Sequence, residues 1–349
     1  MKHLKNALLC KLKLAALWVV RILFAPNHFK MPLHTRIRYS IAGGYMVDQA
    51  AMYDFKHNDK REYLSEFDWH RSRCVPNPFT VMLDNKVIFS ELVGRYCDTP
   101  DIFAVKNGGA PRGTNGRHFP DHEALLAFLL QQGAFVLKPI DGGKGTGVKV
   151  VRRRAEGWTA NNRPTTAEAL LAELKKRKRW FVSAYAHQAP YLDAIYPDSA
   201  NTIRMIVLRS AQTGQFELAY AVQRLGADWT GGVDNGSKGG LIAWIDLPTG
   251  VMTEARSLHT LDVHVTHPNT GAPIRGVTIP NWEAIKAGVM AASAHFSCID
   301  MIAWDILPTA EGFTVIEGNA TSGVNIVQLW GGQRNGKLGQ FYREHGYIR

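Results

Sequence analysis

The sequence predicts an α+β protein with amphipathic helices in its first half and a strand-rich second half. Apolar residues recur at helical spacing after Asp84 and again after Asp121. Five segments beyond residue 200 have the apolar and β-branched composition of strands. The 349 residues exceed what one small domain needs, so we expect one large lobe or two closely packed lobes.

Residues 1–28 predict a basic, apolar N-terminal helix. Lys11, Lys13 and Arg21 interrupt the apolar run, and the stretch between Lys13 and Arg21 is too short to span a bilayer. No small-residue cleavage site follows, which disfavours a secretory signal. Two interpretations stay open: peripheral contact of residues 1–24 with an anionic membrane, or a helix packed on its own domain or on a partner.

The remaining chain divides into three predicted parts. Residues 29–82 form an accessory region in which aromatic and charged residues mix without a clean period, which indicates short helices. Residues 83–182 form a lobe with helices opening near Asp84 and Asp121 and a third opening at a Thr165-x-x-Glu168 capping box. Between the second and third helices we expect a hairpin of strands Ala134–Lys138 and Val148–Val151 around a glycine turn.

Residues 183–349 form the strand-rich lobe. It contains one predicted helix, Trp282–His295. The predicted strands are Thr202–Leu208, Phe216–Gln223, Leu241–Asp246, Ile302–Leu307 and Phe313–Glu317.

Composition excludes several classes of protein. With 46% hydrophobic and 20% charged residues, the chain is neither disordered nor fibrous. Its four cysteines lie far apart without a CxxC pair, which disfavours a zinc site and a disulfide framework. We therefore expect a folded protein of the reducing cytoplasm, with a possible peripheral location at the inner face of the membrane.

The formal net charge of +11 is concentrated in two segments. Residues 1–47 contain eight Lys/Arg and no Asp or Glu, and residues 148–182 contain ten Lys/Arg against three Glu. The remaining residues are slightly acidic, so two local patches rather than the whole surface meet anions. No nucleic-acid recognition motif accompanies either patch, and we predict no nucleic-acid partner.

A glycine-rich turn follows the strand that ends at Lys138. Its backbone N–H groups can surround phosphate oxygens, and Lys138 and Lys144 add positive charge. The spacing matches neither a Walker loop nor GxGxxG. The candidate phosphate-binding residues of this turn are Gly142, Gly143, Lys144, Gly145, Thr146 and Gly147.

A late acidic hairpin carries a candidate metal site. Glu317 and Asn319 are two residues apart on one strand and share a face. If Leu307 pairs with Phe313 across the turn, Asp305 lies diagonally beside Glu317 on that face. Carboxylate and amide oxygens suit a hard cation such as Mg²⁺, which bridges ATP phosphates.

Lys86, Lys138 and the Asp305/Glu317/Asn319 set, in this order, resemble the ATP-grasp superfamily. Within it the chain is most similar to the sugar-transfer-associated, alpha-L-glutamate-ligase-related group. The similarity covers about residues 80–330. The motifs that carry it are Asn201-Thr-Ile-Arg204, Arg224-Leu-Gly226, Val233-Asp-Asn235, Lys238-Gly-Gly240, Thr249-Gly250, His267-Pro268, Thr270-Gly271, Trp304-Asp305 and Glu317-Gly-Asn319.

The resemblance implies an ATP-grasp fold in which two α+β lobes clasp ATP, with a helical N-terminal extension. Lys86 and Lys138 would contact the phosphates, the glycine turn would act as a lid, and Asp305, Glu317 and Asn319 would hold two Mg²⁺. A substrate carboxylate would take the γ-phosphoryl group and an amine would displace phosphate. Arg204, Arg224 and Lys238 would stabilise the developing charge.

Other residues in these motifs are candidates for substrate contacts. They are Asn201, Asp234, Asn235 and His267. Asp234 and Asn235 lie in a glycine-rich loop, which favours shaping or gating the site over ligating metal. The chain departs from the family in its hinge, Phe181–Gln188, which has no carboxylate near the adenine and ribose; Asp193 is the only substitute suggested.

These observations predict a Mg-ATP-dependent carboxylate–amine ligase that acts on a small-molecule or glycan-precursor substrate. The link to cell-surface polysaccharide rests on family analogy. Two alternatives remain: an ATP-grasp phosphotransferase with a stable phosphorylated product, and a membrane-associated nucleotide-binding scaffold.

Overall fold

The computed structural model describes residues 2–73, 77–140 and 146–349, and for residues 2–8 only the backbone. Up to residue 93, the elements of the described residues are helices joined by turns. Short helices and turns occur where residues 29–82 predict them, so that expectation is confirmed. The α-helices are α1 (Lys2–Leu17), α2 (Leu33–Thr35), α3 (Gln49–Met52), α4 (Glu66–Ser72), α5 (Val81–Asp84) and α6 (Lys86–Val93), with π-helical turns at Trp18–Leu23 and Arg36–Ile41.

A first antiparallel sheet occupies the middle of the chain. Its strands are β1 (Ile102–Asn107), β2 (Arg112–Gly113), β3 (Ala134–Lys138), β4 (Lys149–Arg154), β5 (Gly157–Ala160), β6 (Arg163–Thr165) and β7 (Arg179–Ala184), in the order β2-β1-β7-β3-β4-β5-β6. Helices α7 (His122–Gln131) and α8 (Ala167–Lys176) pack on one face, where Phe135, Trp180 and Val182 are buried. The other face of this sheet lines a cleft.

A second antiparallel sheet follows. Its strands are β8 (Ile203–Arg209), β9 (Phe216–Leu225), β10 (Leu241–Ile245), β11 (Met252–Ser257), β12 (Val263–His264), β13 (Met301–Pro308) and β14 (Phe313–Asn319), in the order β12-β11-β10-β9-β8-β13-β14. Helices α9 (Pro190–Ile195) and α10 (Trp282–Ala294) pack on the largest core, and α11 (Lys337–Glu344) packs on a second core. The predicted α+β class is confirmed.

The predicted helix boundaries hold to within a residue or two. Asn85 caps α6, accepting hydrogen bonds from the backbone of Val87 and Ile88 at 3.1 Å. The α7 helix ends just before Gly133, whose φ of +73° favours glycine. The predicted capping residue of α8 was wrong by one position: Thr166 accepts from Ala169 N, whereas Thr165 ends β6.

The hairpin that carries the acidic residues differs from its predicted register. Pro308, not Leu307, pairs with Phe313, and the register shifts by one residue between Asp305 and Ile306. The two corrections place Asp305 directly opposite Glu317 rather than diagonal to it. The shift is a β-bulge, and without it Ile316 would face Asp305 and Glu317 would turn to the opposite side of the sheet.

The accessory region is attached to the second sheet. The Gln328 amide accepts from Leu64 N at 2.7 Å and donates to Leu64 O at 3.0 Å. Leu64 also belongs to the core beneath β8, β9 and β13. None of the helices described here combines the length and apolar character that a bilayer crossing requires.

Candidate active site

Neighbouring strands of the second sheet bring the candidate catalytic residues onto one face. Asp305 on β13 pairs with Glu317 on β14 and, on its other side, with Arg204 on β8. Arg204 pairs with Val222 on β9, two residues before Arg224. Because directly paired residues and residues two apart share a face, all four polar side chains project from the same side of the sheet.

Asp305 forms ion pairs with two guanidinium groups. Arg204 donates from Nε to Oδ1 at 2.5 Å and from Nη2 to Oδ2 at 3.0 Å, a bidentate pair. Arg224 Nη1 lies 3.3 Å from the same Oδ1. Among the described residues, Arg204 Nη1 contacts only Ser322 Oγ, at 3.5 Å, so donors remain for a ligand.

A second carboxylate holds the other side of Arg224. Asp234 Oδ1 accepts from Arg224 Nη2 at 3.0 Å. Asp234 Oδ2 accepts from the backbone N and the hydroxyl of Thr202, at 2.9 and 2.6 Å. Asp234 therefore orients Arg224 from the glycine-rich loop and also fixes the segment before β8. Thr202 is a site residue that sequence reasoning quoted inside a motif without giving it a role.

Glu317 pairs with a lysine from the first half of the chain. Lys86 Nζ lies 2.9 Å from Glu317 Oε2, and both side chains are largely buried. Lys86 is the first residue of α6, directly after the cap residue Asn85. The cap that begins this helix therefore also fixes the position of the cation.

The cleft between the two sheets is lined by residues of both. Lys138 on β3 and Phe181 on β7 are paired and project into it, with the Lys138 ammonium 6.0 Å from the ring centroid. No carboxylate of the described residues lies within ion-pair distance of Lys138. Apolar Ile102, Val315 and Ile316 line the same cleft.

Ser183 is a polar residue of this cleft that sequence reasoning missed. It is 2% exposed, and its hydroxyl has no hydrogen-bond partner among the described residues. Ser183 alternates with Trp180 and Val182, which pack under the helices, and shares the cleft face with Phe181. The two-residue period of a strand is the signal that could have identified it.

Burial and charge act in opposite directions on the ionisable groups. Burial is the largest single effect on Glu317 and would raise its pKa, but the Lys86 ammonium, with Arg204 and a hydrogen bond to Asp305, together lower the pKa to about 2. Burial raises the pKa of Asp305 against the opposing effect of Arg204 and Arg224. Burial lowers the pKa of Lys138, with Glu317 opposing. Burial disfavours the charge on Arg224, but Asp234 and Asp305 outweigh it and raise its pKa.

The site has more cations than carboxylates. Three carboxylates, of Asp234, Asp305 and Glu317, face four cationic side chains, those of Lys86, Lys138, Arg204 and Arg224. The unbalanced positive charge in a partly dry cleft favours an anionic ligand.

The oxygen ligands also fit a hard cation. Asp305 and Glu317 face each other, and Asn319 follows on the same face with its amide nitrogen 3.2 Å from Glu317 Oε1. The described residues contain no cluster of three His, Cys, Asp or Glu. Two carboxylates and one amide leave coordination positions for phosphate oxygens and water, which is how Mg²⁺ is commonly held beside a nucleotide.

Four predicted residues lie outside this cluster. Lys238 is exposed, and Asn235 caps its short turn by accepting from Ser237 N at 2.9 Å. Asn201 and His267 are fully buried, and both bond to the residue Gly226: Asn201 Oδ1 accepts from its N at 2.9 Å, and His267 Nε2 lies 2.8 Å from its O. Asn201 and His267 therefore stabilise the segment after β9, and we do not include them in the proposed site.

The remaining candidates are residues that the sequence predicts to contact the phosphates or the ribose of a nucleotide. Gly142, Gly143, Lys144 and Gly145 lie outside the described residues. Thr146 is exposed, and Gly147 has a φ of +77°, with its carbonyl accepting from Arg177 Nη1. Asp193 is exposed and accepts from Gln188 Nε2 at 2.9 Å, and it is not among the described residues that line the cleft.

The family of the chain follows from comparison with known proteins. A family model described as sugar-transfer associated ATP-grasp matches residues 70–337. The chain belongs to the sugar-transfer associated ATP-grasp family. The predicted resemblance and the ATP-grasp fold are thus confirmed. A search of curated proteins finds no match.

Several solved ATP-grasp structures are similar at low identity. D-cycloserine synthetase DcsG is 14% identical, with 86% of this chain and 81% of that chain covered and a TM-score of 0.43. D-Alanine-D-alanine ligase from Helicobacter pylori is 12% identical, with 76% and 61% covered and a TM-score of 0.41. N5-carboxyaminoimidazole synthetase from Staphylococcus aureus, complexed with ADP, is 9% identical, with a TM-score of 0.39.

The chain is shorter than many of these proteins. The match to the Staphylococcus aureus enzyme includes 69% of this chain but only 45% of that enzyme. The chain likewise covers 55% of the ATP-grasp ligase PsnB. Identities at this level concern the fold alone and carry no information about substrate.

Proposed function

We propose that this protein is a Mg-ATP-dependent carboxylate–amine ligase that acts through an acylphosphate. The observation that carries the proposal is the pairing of Lys86, Arg204 and Arg224 with Asp305 and Glu317, beside a cleft that Lys138 and Glu317 both line. Such a set supplies cations for phosphate oxygens and oxygen ligands for a metal in one cleft.

The first proposed step is phosphoryl transfer. A substrate carboxylate oxygen attacks the γ-phosphorus, the new O–P bond forms, and the bond to the bridging oxygen breaks so that ADP leaves. Lys86 and Lys138, which both belong to the first half of the chain, neutralise the negative charge of the phosphates. Mg²⁺, held by Asp305, Glu317 and Asn319, would lower the charge on the phosphates when bound.

The second proposed step is acyl transfer. The amine nitrogen attacks the acyl carbon, and the tetrahedral intermediate collapses with cleavage of the C–O bond to release phosphate and one proton. Arg204 and Arg224 are held rigidly by Asp305 and Asp234, so their remaining N–H donors are preorganised for the oxyanion. We keep Lys238 as a further proposed cation, because it is exposed on the adjoining loop.

The substrate class is proposed from the family. Its association with sugar transfer supports a sugar acid or related precursor of a cell-surface glycan as one of the two substrates. Cys97 and Cys298 form no disulfide among the described residues, which fits the reducing cytoplasm that we propose for the reaction.

Product analysis tests the proposal. The protein is incubated with Mg-ATP and pooled carboxylic acids and amines, and ADP, AMP, phosphate and product mass are measured together. The test variant is Glu317→Gln. The matched control is Glu311→Gln, which changes an exposed glutamate in the turn of the same hairpin.

The expected result is ADP, free phosphate and a condensed product, all lost in Glu317→Gln and retained in Glu311→Gln. ADP with a stable phosphorylated product would replace the ligase with a phosphotransferase. The absence of both turnover and Mg-ATP binding would favour the scaffold alternative.

A further inference from the structure

The first helical segment is apolar on two faces. Leu14, Leu17 and Trp18 are partly buried and Ile22 is fully buried, so this face packs on the protein. Leu9, Leu12 and Val20 lie at helical spacing on another face and are exposed by 63%, 59% and 63%. A helix that only covered its own domain would be polar on its outer face.

The next helical segment continues this pattern. Leu33, Ile37 and Ile41 are spaced four residues apart and are all exposed. Phe24, directly after the first segment, is also largely exposed. Two consecutive helical segments therefore leave large apolar side chains in contact with water.

Hydrogen bonds from Arg36 and a shared cavity join the two helical segments into one surface. Arg36 donates to Leu23 O at 2.7 Å and to Ala25 O at 3.0 Å, which ties the second segment to the end of the first. Trp18 and Ile41 line the same cavity of about 630 Å³. We call Leu9, Leu12, Val20, Phe24, Leu33, Ile37 and Ile41, with the exposed cations Lys11, Lys13, Lys30 and Arg38, the N-terminal surface.

The charge of this surface has one sign. Residues 1–47 contain eight Lys/Arg and no Asp or Glu. The adjoining cavity is lined by Lys60, Arg61, Arg71 and Arg334 and by Asp68, which pairs with Arg71 and Arg334, while Arg61 pairs with Asp59. A partner must therefore accept apolar side chains and supply negative charge over the same area.

We propose that the N-terminal surface binds an anionic lipid bilayer, with the two helical segments lying in the interface. Apolar side chains would enter the headgroup boundary while Lys and Arg contact the lipid phosphates. A second copy of this chain fits less well, because a symmetric interface would place these cations against each other. The proposal does not depend on the ligase function.

Vesicle sedimentation of the full 349-residue chain tests this proposal. The vesicles are phosphatidylcholine alone and phosphatidylcholine mixed with phosphatidylserine, at low and high salt. One variant removes charge: Lys11→Gln, Lys13→Gln, Lys30→Gln and Arg38→Gln together. Another removes exposed apolar groups: Leu12→Ser, Leu33→Ser and Ile37→Ser.

Matched controls come from the rest of the surface. Lys175→Gln with Lys176→Gln removes exposed charge from the second basic segment. Leu261→Ser with Val263→Ser removes exposed apolar groups, which are 61% and 55% exposed. Circular dichroism and the thermal midpoint establish that each variant is folded, and Phe24→Ser, outside the helical segments, replaces any variant that is not.

We expect binding to the anionic vesicles alone, weakened by salt and by roughly fivefold for each charge removed. The apolar variant should also lose binding, and both controls should bind like the wild type. Equal binding to neutral vesicles, no vesicle binding, or unchanged binding by both test variants would overturn the proposal. A different result would also overturn the proposal: the wild type does not bind vesicles, light scattering shows that it is a dimer, and Leu33→Ser converts the dimer to a monomer.

Discussion

The ionisation of Glu317 depends on its charged neighbours, of which Lys86 has the largest effect. Lys86 approaches to 2.9 Å and, with Arg204 and a hydrogen bond to Asp305, lowers the pKa of Glu317 to about 2 against the effect of burial. Because the folded-state pKa lies below the ordinary value of 4.5, this pair stabilises the fold above that value. The contribution is lost as the pH falls toward the folded-state pKa.

Lys86→Met should therefore destabilise the protein at neutral pH by roughly 2–3 kcal/mol. The difference from the wild type should shrink as the pH falls from 4.5 toward about 2, where Glu317 is protonated in both proteins. Denaturant unfolding at several pH values measures it. Lys337→Met, which breaks an exposed pair with Glu217, should cost less than about 1 kcal/mol. A loss in Lys86→Met that is the same at all pH values would contradict this account of Glu317.

Ser183 should favour ligand binding and at the same time lower the stability of the fold. Its buried hydroxyl has no partner among the described residues, so Ser183→Ala removes an unsatisfied group. We expect unfolding to become harder by about 1 kcal/mol and the Kd for Mg-ATP to rise by several fold. Calorimetric unfolding and nucleotide titration measure the two effects. A stability loss with unchanged Kd would remove Ser183 from the cleft's binding groups.

At the scale of elements, β7 shows how one strand serves both core and cleft. Trp180 and Val182 pack under α7 and α8, while Phe181 and Ser183 line the cleft. The neighbouring strand β1 places Lys106 on the helix side. Its ammonium donates to Leu174 O at 3.0 Å and to Lys175 O at 2.9 Å, the last carbonyls of α8.

Lys106→Met tests this contact. The substitution keeps the apolar stem but removes the ammonium from both carbonyls, of which Leu174 O still accepts from Trp180 Nε1 at 3.0 Å, so we expect a loss of about 1–3 kcal/mol in the free energy of unfolding. Urea denaturation measures the loss. Lys178→Met, at an exposed position nearby, should stay within about 0.5 kcal/mol of the wild type. Equal effects of both substitutions would show that the Lys106 contact contributes nothing of its own.

Sequence patterns predicted the positions of helices and strands better than the register in which strands pair. The helices after Asn85 and Asp121 and the Ala134–Lys138 hairpin follow from capping residues and local periodicity. The bulge between Asp305 and Ile306 has no such local signal, because pairing depends on residues from distant parts of the chain. The shared face of Glu317 and Asn319 was still predicted correctly from their spacing, and a metal site on that face stays a prediction.

For the site, the sequence predicted which residues take part but not which of them contact each other. Lys86, Arg204 and Arg224 were named, but their pairing with Glu317 and Asp305 required the fold. A substrate role for Asn201 and His267 stays a prediction; both residues are buried and bond to Gly226, and burial is not visible in one sequence. Ser183 was missed because a lone serine in an apolar strand carries no motif.

At the scale of the whole molecule, the cleft between the sheets is narrow. The free volume is about 20 Å³ where Lys86, Lys138 and Glu317 line it. The accessory region is joined to the second sheet through Leu64 and Gln328. If ATP binds between the sheets as we propose, we expect the first sheet to move away from the second, with Lys86 at the junction between them.

Equilibrium binding of ATP with and without Mg²⁺ tests the central claim most directly. The account predicts binding that requires Mg²⁺ and weakens by at least about tenfold in Glu317→Gln, as expected when a charged ligand of the metal is removed. Glu311→Gln, in the turn of the same hairpin, should bind like the wild type. Binding that is equally tight without Mg²⁺ and in Glu317→Gln, or no binding by the folded protein, would contradict the account.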